Sequence, residues 1–234
     1  MRAALLAVVA CSSPPQHVKG DEGVPLQRDT PAPRIAWHAD RFDITGLPAI
    51  ARGGEVAVIA LSDSDGERGS PNIRLEVHDR TDKIVQTIEV LKPAEFDTLV
   101  HDGVPSAELT RRVTEADTEL ARLHGLHDLI AMHPLELQPG TDEHSERHLA
   151  IGDGIDVDWN GDHLHVFSHN ADHPLVTLDG HAWLKQKVDS DCSNPAFLRA
   201  AFHTAGINAI VVDIAYHGTD SCVEPADQQH FVVW

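Results

Sequence analysis

Hydrophobic and polar positions alternate most clearly in one short stretch. Ile73, Leu75 and Val77 are separated by Arg74, Glu76 and His78, the period of two that marks a strand with one buried face. Val56 to Leu61 is an apolar run before it, Asp79-Arg-Thr-Asp-Lys83 reads as a turn, and Ile84 to Val90 reads as a third strand. Residues 55–90 are therefore expected to form an antiparallel meander. Arg34 to Ile50 mixes apolar residues with turn formers and predicts one short strand.

A helical period appears once over a useful length. Leu109, Val113, Ala116, Leu120 and Leu123 recur at steps of four and three, which places them on one face of a helix. Ser106 is a suitable N-cap and Gly125 a suitable stop, so a helix over 106–124 is expected, with its apolar face against a sheet. A second, short helix is expected over 195–203, following Asn194-Pro195. One short strand is expected within Leu126 to Leu137, ended by Pro134, followed by a polar loop over 138–147. Further strands are read at 155–159, 163–167, 175–178, 182–184, 207–216 and 230–234. Strands outnumber helices and no βαβ alternation occurs, so the fold class is α+β with a mainly antiparallel sheet. The meander resembles one blade of a β-propeller. No repeat of about 40–50 residues follows, and the helix interrupts the pattern, which argues against that fold. The expected body is one domain over 35–234, with a possible subdivision near 138–147.

Asn160-Gly161 is a strong hairpin signal, because it suits a two-residue type I′ turn. With that turn, Asp158 faces His163 and Asp156 faces His165. Alternation then gathers Asp156, Asp158, His163 and His165 on one face, opposite Ile155, Val157, Leu164 and Val166. Two readings remain open. These are solvent-facing cross-strand pairs, in which case no cofactor is needed. Alternatively they hold a divalent metal such as Zn²⁺, Cu²⁺ or Mn²⁺, with His169 and His173 nearby. Ten of the 17 histidines lie between His124 and His181, which concentrates imidazole here.

Two other motifs are weaker. Asp63-Ser-Asp-Gly-Glu67 resembles part of a calcium loop but lacks the twelve-residue pattern. His144 and His148 flank Glu146 without the order of a zinc-protease helix. No glycine-rich phosphate loop and no nucleophile elbow occur.

Charge narrows the partners. The chain carries 18 basic and 37 acidic residues, 24 of them Asp, with only five Lys. Nucleic acid needs a basic surface and is not expected as a partner. The acids are spread along the chain, a profile suited to high salt, where screening removes self-repulsion.

The first eleven residues carry an address. Arg2 precedes eight apolar residues, Ala3 to Ala10, and then Cys11. Val8-Val9-Ala10-Cys11 resembles the lipobox of bacterial lipoprotein precursors, although Val8 stands where Leu is usual. The resemblance implies that residues 1–10 are a signal peptide and that Cys11 is acylated. Ser12 after the cysteine is similar to the outer-membrane sorting pattern. Residues 11–34 contain five prolines and read as a flexible tether. In an exported protein, Cys192 and Cys222 are left as one pair and are expected to form a disulfide. The competing reading makes Cys192 a nucleophile with His203 or His217 as base.

The expectation is thus an exported, lipid-anchored domain of the bacterial envelope, with the lipid in a membrane and an unidentified protein or small-molecule partner. It is read as non-enzymatic. A periplasmic metal-binding protein using the 156–165 hairpin is the alternative, and a secreted hydrolase the third.

Overall fold

The structure is a computed structural model and describes residues 31–62, 70–138, 148–160, 163–169, 171–180, 196–216 and 228–234. Strands β1 (Arg34–His38) and β2 (Arg41–Thr45) form a hairpin. Strands β3 (Ala49–Ala51), β4 (Val56–Leu61), β5 (Ile73–Asp79) and β6 (Ile84–Leu91) form an antiparallel meander. A short helix α1 (Phe96–Leu99) and the small pair β7 (Val100–His101) and β8 (Val104–Pro105) lead into helix α2 (Ala107–His127). Three short strands follow, β9 (Leu129–Ala131), β10 (His133–Pro134) and β11 (Glu136–Gln138). The chain continues through β12 (His148–Gly152), β13 (Ile155–Trp159), β14 (His163–Ser168) and β15 (Val176–Asp179). It ends with β16 (Ala196–His203), β17 (Ala209–Tyr216) and β18 (Gln228–Val233).

These strands build three larger antiparallel sheets. Sheet 1 has the order β6-β5-β4-β3-β9, sheet 2 the order β10-β16-β17-β18, and sheet 3 the order β11-β12-β13-β14-β15. The fold class is α+β. Helix α2 and the β1–β2 hairpin cover one face of sheet 1 through Leu109, Val113, Ala116, Leu120, Leu123 and Ile35. The opposite face of sheet 1 meets sheet 2 through Ile50, Ala57, Ile59, Met132, Val211 and Phe231. The far face of sheet 2 meets sheet 3 through Leu198, Ile210, Val212, Val157, Trp159 and Leu164. Sheet 2 is therefore the middle layer and is apolar on both sides, which explains the unbroken run Ile210-Val-Val212 in β17.

Helix α2 carries the five expected residues on its buried face and starts at the expected cap. The Ser106 side chain accepts from the Leu109 N–H at 3.2 Å. Replacing Ser106 by Ala is expected to lower stability by about 1 kcal/mol, read as a lower urea midpoint with an unchanged slope. The helix does not stop at Gly125. It runs one turn further and ends at Asp128, whose φ of 50° is the left-handed cap conformation. Asp tolerates that region because its short side chain bonds locally, and nothing closer than 4 Å would meet a Cβ at Gly125.

Three other expectations are corrected. Residues 34–50 hold two full strands and the start of a third, not one. Residues 126–137 hold two strands and most of β11, not one. Residues 196–203 are a strand and not a helix. The reason in this last case is a bulge between Leu198 and Ala200. Ala196 and Leu198 are buried before it, Ala201 and His203 after it. The extra residue Arg199 shifts the phase by one, so a period of two acquires spacings that imitate a helix.

Candidate functional site

Two groups of chemistry-bearing residues stand out, one foreseen and one not. The foreseen group is the hairpin of β13 and β14. Its core side is as expected, with Ile155, Val157, Leu164 and Val166 all buried, and Trp159, not among the expected core residues, joins them. Its register is not. Asp158 pairs with His165, Trp159 with Leu164 and Asp156 with Phe167, a slip of two residues. The hairpin closes between Asn160 and His163, where the Asn160 N–H donates to the His163 carbonyl at 3.2 Å. The Asn160 side chain also accepts the His163 N–H at 2.8 Å. Asn160 thus serves as the last paired residue rather than the first turn residue. A slip of two preserves the alternation, so Asp156, Asp158, His163 and His165 still share one face.

They do not converge on a point. The Asp156 carboxylate accepts from His169 Nδ1 at 3.0 Å, and Asp158 is buried. His165 Nδ1 lies 3.0 Å from the Thr177 hydroxyl. The His163 and His165 rings are stacked at 5.8 Å, and Phe167 lies 6.0 Å beyond His165. Among the described residues, no group of three or more His, Cys, Asp or Glu is placed to hold a metal ion.

The second group lies in the seam between sheets 1 and 2. Glu76 and His78 belong to the polar side of β5, where the sequence pattern implied solvent. Sheet 2 covers that side, leaving Glu76 7% and His78 2% exposed. Both ring nitrogens of His78 donate to carboxylates, Nε2 to Glu76 at 3.1 Å and Nδ1 to Asp82 at 2.9 Å. Glu76 also accepts from Arg74 Nε at 2.7 Å.

Asp82 is held in place by the turn between β5 and β6. Asp79 Oδ1 accepts the Thr81 N–H at 2.8 Å and the Lys83 N–H at 3.2 Å, an Asx-type turn. Asp82 itself has a φ of 59°. This projects its carboxylate onto the outer edge of β18. There it accepts the Phe231 N–H at 2.7 Å and His230 Nδ1 at 2.6 Å. The contact joins residues 148 and 149 positions apart and caps an edge N–H that would otherwise need water. On the sheet 1 side of β17, Asp213 is 5% exposed and accepts from Arg199 Nη2 at 2.7 Å.

The electrostatics follow from this wiring. Burial pulls the His78 imidazole down, but the hydrogen bonds to Asp82 and Glu76 outweigh it and raise its pKa to about 9. Burial pushes Asp82 up, and donation from His230, His78 and the Phe231 N–H reverses this to about 2. Glu76 follows the same logic: burial raises it, while His78 and Arg74 bring it below its ordinary value. The group is therefore an alternating chain of Arg74, Glu76, His78 and Asp82 charges beside a cleft of about 200 Å³. A His with both nitrogens committed to carboxylates is a poor general base.

Sequence reading missed this group because nothing in β5 alone shows that its polar face is covered. The available signal was Asp213, an isolated acid inside an otherwise apolar strand. His203, the possible base for Cys192, is buried in the sheet 2 to sheet 3 layer. Burial lowers its pKa, and its Nε2 donates to the Ile207 carbonyl at 3.0 Å. Cys11, Cys192, Cys222, His217, the 63–67 motif and His144 lie outside the described residues. Among the described residues, no helix is long and apolar enough to cross a membrane. No protein-family model matches the chain, and neither the curated proteins nor the solved structures hold a significantly similar one.

Proposed function

We propose that the chain is an exported, lipid-anchored domain of the bacterial envelope that works by binding or support rather than by catalysis. The observation that carries the non-catalytic part is the closed wiring of the seam. Its buried ionisable groups neutralise one another and hold sheet 1 to sheet 2, leaving His78 without a free nitrogen for proton transfer. The lipobox-like Val8-Val9-Ala10-Cys11 and the proline-rich 11–34 segment support the anchor and tether. The acidic surface suits a domain held off an anionic membrane by that tether. A Cys192–Cys222 disulfide belongs to the same reading and would stabilise the domain by roughly 3.5 kcal/mol on the chain-entropy model.

The test is metabolic labelling with a clickable fatty acid in a Gram-negative host. The wild-type chain is expected to be labelled and to fractionate with the outer membrane. Cys11→Ala is expected to be unlabelled. Equal labelling of the two would remove Cys11 as the anchor.

A further inference from the structure

We propose that His163 and His165 form a two-nitrogen chelate for a borderline transition cation, Cu²⁺ above all, on the open face of sheet 3. The two residues are two apart on one strand, so both side chains leave the same side of the sheet. Their rings are stacked with centroids 5.8 Å apart and planes within 19°, near enough that a side-chain rotation brings both Nε2 atoms to the roughly 2 Å bonds that one cation needs. His163 is exposed and His165 half-buried, so the pair is open to solvent without being loose.

The second residue is also oriented. Thr177, directly opposite on β15, lies 3.0 Å from His165 Nδ1. Its hydroxyl can accept the Nδ1 proton, which leaves Nε2 with a lone pair directed outward. A partner on the far nitrogen is the usual way a ligating imidazole is fixed. Phe167 stands on the other side of the His165 ring and restricts its swing. The acids of the expected four-residue site play a different part. Asp156 is engaged by His169, and Asp158, opposite His165 in register, is buried. Asp179 lies opposite His163. These carboxylates favour a cation near the pair without closing a shell, and a formal net charge of −19 acts in the same direction. A two-imidazole site completed by water suits Cu²⁺ best among common divalent cations, because Cu²⁺ has the highest intrinsic affinity for nitrogen.

This inference is independent of the lipid anchor, since its readout is metal affinity and not acylation. The full chain, purified without a histidine tag, is titrated with Cu²⁺ and followed by electron paramagnetic resonance and calorimetry. The tightest site is expected to show two-nitrogen coordination. His163→Ala or His165→Ala is expected to weaken that site by about tenfold or more, through loss of the second attachment. Thr177→Val is expected to weaken it severalfold with no change in metal-free melting temperature, an effect that a merely structural role would not produce. Cu²⁺ is expected to raise the melting temperature of the wild type by mass action and to raise it less in the double His163→Ala, His165→Ala variant. Unchanged affinity and coordination at the tightest site in that double variant would overturn the proposal and place the binding at other histidines.

Discussion

Replacing His78 by Leu is expected to destabilise the fold by about 3–5 kcal/mol, the range for removing one partner of a buried charge pair. The side chain stands between Glu76 and Asp82 in a seam where neither carboxylate has easy access to water. Without the imidazolium, two carboxylates face each other across an apolar side chain, Glu76 keeping only Arg74 and Asp82 only His230 and the Phe231 N–H. The check is urea denaturation at pH 6, where the midpoint falls and the slope stays constant. The same contact sets a pH dependence whose sign is fixed by linkage. The folded pKa of His78 is raised from 6.5 to about 9. Its stabilisation is therefore complete below pH 6.5 and is lost as pH rises through about 9. Asp82 is lowered from 3.8 to about 2, so its share is present above pH 3.8 and is lost as pH falls through about 2. The two shifts share the His78–Asp82 contact and so do not simply add, although Asp82 also draws on His230 and the Phe231 N–H and His78 on Glu76. Wild-type stability should decline from pH 6.5 to 9, and His78→Leu should flatten that decline. A wild-type curve already flat over this interval would contradict the wiring.

The second large effect is expected at Trp159. This ring is fully buried between sheets 2 and 3, and its Nε1 donates to the Ala196 carbonyl of β16 at 3.0 Å. Trp159→Ala removes the largest side chain of that layer and should cost about 3–5 kcal/mol. Trp159→Phe keeps an aromatic ring but strands the Ala196 carbonyl, and should cost about 1–3 kcal/mol. Comparing the two separates the volume from the hydrogen bond. An equal loss in both would mean that the hydrogen bond carries the whole effect.

The elements best read from the chain are those whose signal is local. Helix α2 was legible because its five buried residues recur over four turns and Ser106 caps them. The meander was legible because Ile73, Leu75 and Val77 alternate, and the hairpin because strand parity survives a shift of two. What was not legible depends on partners distant in sequence. The bulge at Arg199 breaks the period only because β17 stays in register on both sides of it. Strands β3 and β9 are three residues each and too short to show a period, while β1 and β2 do alternate over five residues each but read as one expected strand. Burial of Glu76 and His78 is imposed by β18, some 150 positions away, so a strand that looks half-solvated is covered on both sides. The four hairpin residues were placed on the correct face. Their separation into a buried Asp158, an Asp156 bound by His169 and a stacked histidine pair was set by register, which the turn sequence misassigned by two.

The middle position of sheet 2 also bears on how the chain reaches its native state. Sheet 1 with α2 draws on residues 49–131, and sheet 3 on residues 136–179, both contiguous and able to begin assembly locally. Sheet 2 takes β10 from the middle of the chain and its other three strands from after residue 195. Until those strands arrive, sheets 1 and 3 each present an apolar face with nothing against it, a hazard for association with other chains. Pairings of such high sequence separation close slowly. Folding should therefore finish with a late insertion of β16–β18 between two preformed layers. The Asp82 contact with His230 and Phe231 would fasten that last step, so holdase chaperones should engage the chain chiefly before it.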